Sequence, residues 1–263
     1  MMDALRLHIA ANVTCLRRNR LLHAFVVLIA VGVATAVVPA LAFRDTSNRF
    51  EAMRVLARML HGATSLITPG VGLFLLWVHR RSRSISMVAT TAAPFGAWVA
   101  ALFATGALVG AAAHALIAVL LLALSQAWGV TYQYGFVYLA LDSFTESMIA
   151  MGIITTLSVF VHPVLTVVLV TLVNDTTVLA VRQGLELLTP GPFVRAVRGL
   201  SAAAYFVLPA SDPYGERTAA MLRTMRVATS DWYYLGWAGA YALLVLAVAQ
   251  VTTLVWVRRR PTQ

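Results

Sequence analysis

Long apolar stretches, separated by short polar or basic segments, recur along most of the chain. Most of them reach or exceed the roughly 20 residues that an α-helix needs to cross a bilayer. The pattern predicts six membrane-spanning helices, at about 21–42, 63–78, 94–124, 138–160, 163–183 and 232–257. We therefore expect an all-α, polytopic membrane protein in which residues 1–263 form a single transmembrane domain.

The division between the fourth and fifth spans depends on one dipeptide, His162-Pro163. The apolar stretch from Tyr138 to Val181 is too long for one helix and fits two. The residue before a proline disfavours helix, whereas proline itself begins helices well. A break is predicted here, and a single helix through it would move the C-terminus to the other side of the membrane.

Segments beside the spans have the spacing of helices that lie along a membrane surface. Residues 1–20 alternate apolar and basic positions, which predicts an N-terminal interfacial helix. Within 44–62, apolar positions share one face and Arg49, Arg54 and Arg58 share the other, which predicts a second interfacial helix. The apolar face consists of Phe50, Met53, Leu56, Ala57 and Leu60.

The segment 184–231 precedes the last span and has mixed character. Its apolar middle, Gly199 to Leu208, is too short to cross a bilayer. We expect a re-entrant or interfacial segment on the outer side of the membrane.

The composition agrees with a membrane location. Sixty per cent of the 263 residues are hydrophobic and 11% are charged, whereas a soluble domain carries roughly 25% charged residues. The mean hydropathy is +0.81. A soluble core could not hide this much apolar surface, but a bilayer can.

The basic residues exclude several functions. All 20 are arginines, and without lysine the chain cannot form the phosphate-binding loop of an ATPase or a Schiff base with a cofactor. The net charge of +10 does not indicate nucleic acid, because the arginines stand in short groups between apolar spans, where they contact lipid headgroups. The chain is expected to lack an energy source and to hold no cofactor of its own.

The arginines also indicate an orientation. With both termini in the cytoplasm, ten arginines lie on each side, but those inside lie close to span ends, where positive charge acts on topology. Arg-only usage in an Ala- and Val-rich chain is typical of a bacterial genome rich in G and C. We expect a multi-pass protein of the bacterial inner (plasma) membrane with both termini cytoplasmic.

Three acidic residues fall within the predicted spans. Asp142 and Glu146 are four positions apart, hence on one face of the fourth span, and Asp175 lies in the outer half of the fifth. Carboxylates at membrane depth are costly and usually face a cavity or a partner. They are candidates for the polar lining of an outward-opening pathway. The alternative is that the fourth span begins later and that Asp142 and Glu146 lie at the interface.

Six histidines raise the possibility of haem, which membrane cytochromes hold between histidines of neighbouring helices. Only His114 is clearly mid-span, and His61 and His79 lie about 27 Å apart at opposite ends of one predicted helix, at 1.5 Å per residue. No pair is brought together by the sequence, so we expect polar contacts and no metal site. The single cysteine, Cys15, excludes an internal disulfide.

Gly106 and Gly110 form a G-x-x-x-G motif in the third span. Small residues at this spacing let two helices approach closely. Packing within the chain is favoured over a dimer seam.

The stretch RRSRSISMVATTAAPFGAWVAALF, which begins at Arg80, lies between the second and third spans. It resembles the coupling segment of type-2 ABC exporter permeases, where Gly-Thr, an apolar run, Ser-Thr-Pro and a Lys follow a charged stretch. Arg83, Ala92 and Leu102 depart from the Gly, Pro and Lys of that pattern. The resemblance, which extends to the layout of the whole chain, implies docking of an ATPase on Arg80, Arg81, Arg83, Ser84, Thr90 and Thr91.

A narrower resemblance concerns LPASDPYGER at 208–217. It is similar to the Asn-Pro-x-Asp-x-Tyr-Arg segment before the last span of permeases associated with nitrous oxide reductase maturation. Asp212 and Tyr214 occupy matching positions, although Pro-Ala replaces Asn-Pro and Glu216 intervenes before Arg217. Asp175 resembles an acid in the fifth span of that group. The resemblance implies an exporter that handles copper or sulfur.

Together these features predict an ABC transporter permease that exports a substrate or transmits force across the membrane. Its expected partners are a separate ATPase that holds ATP and Mg²⁺, and a second copy of the chain or a paralogue. A membrane anchor or assembly subunit of a larger, redox-active complex is the alternative. A third possibility, an intramembrane enzyme, would require an activity that depends on Asp142, Glu146 or Asp175.

Overall fold

The computed structural model describes residues 2–20, 49–81, 95–129, 133–162, 191–207 and 227–259, with a few isolated positions besides. The regular structure of these residues is helical, as predicted. In chain order, the helices are α1 (Met2–Arg18), α2 (Arg49–Ser65), α3 (Ile67–Arg81), α4 (Phe95–Ala127), α5 (Gln133–Phe160), α6 (Pro192–Val207) and α7 (Thr229–Arg259).

Four helical stretches in the described residues are long and apolar enough to cross a membrane. They coincide with the second, third, fourth and sixth predicted spans, which indicates a membrane-embedded protein. The predicted spans 21–42 and 163–183 lie outside the described residues except at isolated positions, so the count of six and the orientation stay predictions. The four stretches are Ala52–His79, Gly96–Ala127, Gly135–Phe160 and Thr229–Val257.

The second span begins earlier in the structure than the sequence pattern predicts. Only Leu66 separates α2 from α3, and the Gly70 N–H donates a hydrogen bond to the Leu66 carbonyl oxygen at 3.0 Å. Four residues of the predicted apolar face of α2 are buried, namely Met53, Leu56, Ala57 and Leu60. They pack against residues of α4 and α5 such as Leu121 and Phe136. The prediction of a helix at this place is confirmed, whereas its interfacial position stays a prediction. An apolar stripe shows that a face is covered and not what covers it.

Helices α4 and α5 form the centre of the bundle, and each contacts α2, α3 and α7. α4 ends where Gly129 adopts a positive φ of 67°, a conformation that glycine takes without steric cost. Its N–H donates to the Gln126 carbonyl oxygen at 3.1 Å. Because α5 begins four residues later, at Gln133, the two long helices are adjacent in space.

The outward faces of α4 and α7 are apolar. Leu116 on α4 is 69% exposed and Leu243 on α7 is 71% exposed within the chain. Apolar surface of this extent requires lipid or a protein partner. Other exposed apolar side chains on these helices are Leu108, Val119, Trp237, Leu244, Val248, Val251 and Val255.

The N-terminal segment is helical, as predicted, and α1 packs along α4. Asn12 and Leu16 are its buried residues, whereas much of the rest of the helix is exposed. Leu16 belongs to a core cluster that includes Leu75, Trp98 and Leu102. One face of α1 is therefore held by the bundle itself.

The predicted break at His162-Pro163 is confirmed at the end of α5. The helix stops at Phe160, two residues before His162. The Thr166 N–H donates to the His162 carbonyl oxygen at 2.9 Å, which is the spacing of a new helical turn.

Helix α6 occupies the middle of the predicted outer segment. Its 16 residues would extend about 24 Å, less than the ~30 Å hydrocarbon thickness of a bilayer. Its length agrees with a helix that does not cross the membrane. Phe193 and Leu200 on α6 are exposed within the chain.

Candidate functional site

Buried polar side chains collect where α2, α3, α4 and α5 meet. We call this cluster the polar seam. In the interior of a membrane protein no bulk water compensates such groups, so each of them is costly unless another group contacts it. The seam consists of His61, Thr64, Thr68, His114, Ser143 and Ser147, all of which are buried.

The most unusual feature of the polar seam is a pair of histidines. His61 on α2 and His114 on α4 are 4% and 2% exposed. Their rings are parallel to within 8°, with centroids 6.0 Å apart. The rings of His114 and Phe144 pack edge to face, with centroids 5.9 Å apart. The sequence analysis found no histidine pair, because the packing of α2 on α4 brings together residues that are far apart in the chain.

The Thr64 hydroxyl favours one tautomer of the neutral His114 ring. Its hydroxyl lies 3.0 Å from the carbonyl oxygens of both Leu60 and His61, to which it donates. The Thr64 oxygen lies 3.4 Å from His114 Nδ1. Because the hydroxyl proton is directed at the carbonyls, the Thr64 oxygen accepts a long hydrogen bond from His114 Nδ1–H. This leaves His114 Nε2 as an unprotonated acceptor in the neutral ring.

Two contacts attach α5 to the other side of the polar seam. The hydroxyls of Ser147 and Thr68 are hydrogen-bonded at 3.1 Å. The Ser143 hydroxyl donates a long hydrogen bond, 3.4 Å, to the His61 carbonyl oxygen. The seam therefore connects α5 with both α2 and α3.

Next to the polar seam, the helices pack closely against one another at three glycines. A β-carbon placed on Gly110 would lie 3.1 Å from the Thr68 β-carbon, and one placed on Gly106 would lie 2.6 Å from Met151 Sδ. Gly72 on α3 contacts the same Met151 side chain. The G-x-x-x-G motif thus packs within the chain, as predicted.

The two acids of the predicted pathway have different surroundings. Asp142 on α5 is buried at 4% exposure, next to Ser143 of the polar seam, whereas Glu146 is exposed. The helix itself begins at Gln133, more than two turns before Asp142, and the alternative that both acids lie at the membrane interface stays a prediction. Asp142 is the acid that the fold places inside the bundle.

A second polar contact joins α1 to the ends of α3 and α4. His79 Nε2 donates to Asn12 Oδ1 at 2.9 Å, and Asn12 Nδ2 lies 3.4 Å from Thr105 Oγ1, a long hydrogen bond. The His79 ring also meets the Trp98 ring edge-on, with centroids 5.2 Å apart. The sequence signal for this contact was an uncharged polar residue, Asn12, at the middle of a helix that is mostly apolar and basic.

The remaining predicted site residues lie mostly outside the described residues. α3 ends at Arg81, so Arg80 and Arg81 lie in its last turn. In the part of the chain that the structure describes, no group of three or more His, Cys, Asp or Glu residues could hold a metal ion. The residues that are not described are Arg83, Ser84, Thr90, Thr91, Asp175, Asp212 and Tyr214.

Comparisons of the chain with protein-family models, with curated proteins and with solved structures find no match.

Proposed function

We propose that this chain is the permease subunit of an ABC transporter, which works with a separate ATPase to export a substrate or to transmit force across the membrane. The observation that best supports the proposal is the polar seam inside a bundle whose outer faces are apolar. Buried polar groups at membrane depth are costly and typically line a pathway or join elements that move. A bundle that served only as an anchor would be more stable with an apolar interior.

In this proposal a partner ATPase supplies the energy, because a chain without lysine has no phosphate-binding loop. The ATPase, with its bound ATP and Mg²⁺, docks on the segment from Arg80 to Thr91. This segment continues α3, which ends at Arg81, and precedes α4, which begins at Phe95. A displacement of the segment would act on α3 and α4, and both helices carry residues of the polar seam.

The contact between Asn12 and His79 fits the same scheme. It holds α1 against the end of α3 that leads into the docking segment. α1 would then move together with α3 and α4 when the ATPase binds nucleotide. In the proposed orientation, this end of the bundle and both termini are cytoplasmic.

A second copy of the chain, or a paralogue, completes the pathway in this proposal. The exposed apolar faces of α4 and α7 are available for it or for lipid. Asp142 supplies a carboxylate from within the bundle. Asp175, Asp212 and Tyr214 would lie on the outer side, where their resemblance to permeases of nitrous oxide reductase maturation suggests a copper or sulfur cargo.

A second candidate function is a membrane anchor or assembly subunit of a redox complex. The observation that favours it is the His61–His114 pair, because paired histidines from neighbouring helices are the usual ligands of membrane-bound haem. A visible absorption spectrum of the purified protein separates the two functions. A Soret band that disappears in the His114→Asn variant would favour the redox subunit.

Co-purification tests the transport proposal directly. The chain is expressed from its own chromosomal locus with a C-terminal tag that contains no histidine, and it is purified in mild detergent. We expect an ATPase subunit at a stoichiometry near one per permease. Recovery of a redox partner, with no ATPase, would contradict the proposal.

Charge reversal locates the docking surface in the same experiment. Arg81→Glu combined with Arg83→Glu should abolish recovery of the ATPase. The control double variant, Arg258→Glu combined with Arg259→Glu, makes the same change of charge at the C-terminal end of the chain. It should still recover the ATPase. Equal loss in both double variants would show that general charge, and not the docking segment, holds the ATPase.

A further inference from the structure

Helix α6 (Pro192–Val207) stands apart from the helices that form the bundle. None of the extensive contacts between helices in the part of the chain that the structure describes involves it. The exposure of its side chains is described from Pro192 to Leu200, and none of these is buried. Phe193 is 78% exposed and Leu200 is 70% exposed. Because most helices in proteins are stabilised by packing of an apolar face, α6 requires a surface outside the bundle to cover that face.

The residues of α6 divide into two faces. By helical spacing, Phe193, Val197 and Leu200 share one face. Arg195 and Arg198, three positions apart, share the opposite face and are both exposed. The helix contains no acidic residue. An apolar stripe opposite a cationic one is typical of helices that lie in the plane of lipid headgroups.

The charge of α6 favours a lipid surface over a protein groove as the occupant of this face. A protein groove would use the apolar stripe alone. A bilayer surface uses both faces, because acyl chains cover the apolar side chains while lipid phosphates attract the arginines. The four apolar stretches long enough to cross a membrane would also keep a bilayer permanently within reach of α6, whereas a protein partner would have to be recruited.

We propose that α6 lies in the membrane surface and binds phospholipids whose headgroups carry a net negative charge. Phe193, Val197 and Leu200 insert among the outermost parts of the acyl chains. Arg195 and Arg198 contact phosphate oxygens, to which a guanidinium group donates paired hydrogen bonds. A helix that re-entered the hydrocarbon would carry both charges with it at high cost, so the flat orientation is favoured. This binding does not depend on an ATPase.

The first experiment measures the depth of the two faces of α6 in a membrane. The full chain carries Cys15→Ser and one new cysteine, Leu200→Cys or Gly199→Cys, labelled with an environment-sensitive fluorophore. Gly199 is the matched control, because adjacent helical positions lie about 100° apart around the axis and a β-carbon there meets no heavy atom within 4 Å. In vesicles of phosphatidylglycerol and phosphatidylcholine, a quencher attached to the lipid headgroup region should quench the Leu200→Cys label several-fold more than the Gly199→Cys label.

The second experiment tests the preference for anionic lipid. In vesicles of phosphatidylcholine alone, quenching of the Leu200→Cys label should fall. One basic residue strengthens binding to an anionic surface about 5-fold, so Arg195→Gln combined with Arg198→Gln should weaken the association of α6 with the mixed vesicles about 25-fold. Arg195→Lys combined with Arg198→Lys keeps both charges and should retain most of the quenching.

A control for the loss of charge comes from the N-terminal helix. Arg17→Gln combined with Arg18→Gln removes the same charge from exposed positions of α1. Because the fluorophore reports on α6 only, its quenching in this variant should equal that of the chain with both arginines.

Three results would overturn the proposal. They are equal quenching of the Leu200→Cys and Gly199→Cys labels, equal quenching with and without phosphatidylglycerol, and disulfide-linked dimers as the main product of oxidising the unlabelled Leu200→Cys chain. The last result would show that a second copy covers the apolar face. None of these measurements uses an arginine variant, so they decide the question even if those variants fail to fold.

Discussion

Gly110 on α4 lies against Thr68 on α3 so closely that a β-carbon on the glycine would be 3.1 Å from the threonine β-carbon and nearer still to its hydroxyl. Thr68 is fully buried and is hydrogen-bonded to Ser147 on α5. One residue of the polar seam thus contacts two other helices, and its position requires a glycine at 110.

Gly110→Ala should destabilise the protein. The added methyl group would overlap the Thr68 side chain, which is short and hydrogen-bonded and has little freedom to move. Overpacking of a well-packed core typically costs about 1–3 kcal/mol. The expected result is a lower thermal unfolding temperature in detergent, measured by loss of the monodisperse peak in size-exclusion chromatography after heating.

Gly62→Ala on α2 is the matched control for this substitution. No heavy atom lies within 4 Å of the position that its β-carbon would take. Alanine is favoured over glycine in a helix by up to about 1 kcal/mol, so the variant should equal or exceed the wild type in stability. A Gly110→Ala protein as stable as Gly62→Ala would show that α3 and α4 are not in close contact.

Thr68→Val and Thr253→Val should affect the stability of the protein differently. Thr68 shares a hydrogen bond with Ser147 at 3.1 Å, and such bonds between membrane helices average about 0.6 kcal/mol. The Thr253 hydroxyl on α7 is buried without a hydrogen-bonding partner in the described residues. Replacing an unpaired buried hydroxyl by a methyl group removes its desolvation cost.

We therefore expect Thr68→Val to lower stability slightly and Thr253→Val to leave it unchanged or raise it. Reversible unfolding in a mixed detergent system measures both. The reverse ranking of the two variants would be inconsistent with the hydrogen bonds described here.

Asn12→Leu should loosen the N-terminal helix. The substitution removes the hydrogen bond to His79 at 2.9 Å and the longer contact with Thr105. Cys15, three residues later, is the only cysteine in the chain and is partly exposed. Its rate of reaction with a maleimide reports on the packing of α1, and it should rise several-fold in the variant.

Thr14→Val is the control for the labelling experiment. Thr14 is exposed, and its hydroxyl bonds only to the Ala10 carbonyl oxygen within α1 among the contacts described. Its substitution should leave the labelling rate close to that of the wild type. If Asn12→Leu labels at the same rate as Thr14→Val, the Asn12 contact does not hold α1 in place.

Asp142→Asn and Glu146→Gln test the proposed pathway. Both remove one negative charge from α5, but Asp142 is buried and Glu146 is exposed. If the bundle interior carries the transport step, Asp142→Asn should reduce the coupled ATPase activity of the reconstituted complex several-fold. Glu146→Gln should change it little, and equal effects in the two variants would argue against a role for the interior.

Much of the secondary structure follows from the sequence for a direct physical reason. A helix that crosses a bilayer must satisfy its backbone internally and present apolar side chains over a fixed length. The four described spans therefore appear as long, predominantly apolar stretches, and the break at His162-Pro163 follows from the backbone restriction that proline imposes. The close packing at Gly106 and Gly110 could also be predicted from the sequence, because only small residues let two helices approach so closely.

The pairing of side chains inside the bundle was decided by the tertiary structure alone. In a membrane-embedded chain both lipid-facing and protein-facing positions are apolar, so hydrophobic periodicity does not show which helix faces which. The apolar face of α2 looked like a surface for lipid, yet it packs on α4 and α5. That packing places His61 beside His114, a proximity that spacing along the chain cannot show because it depends on the arrangement of two separate helices.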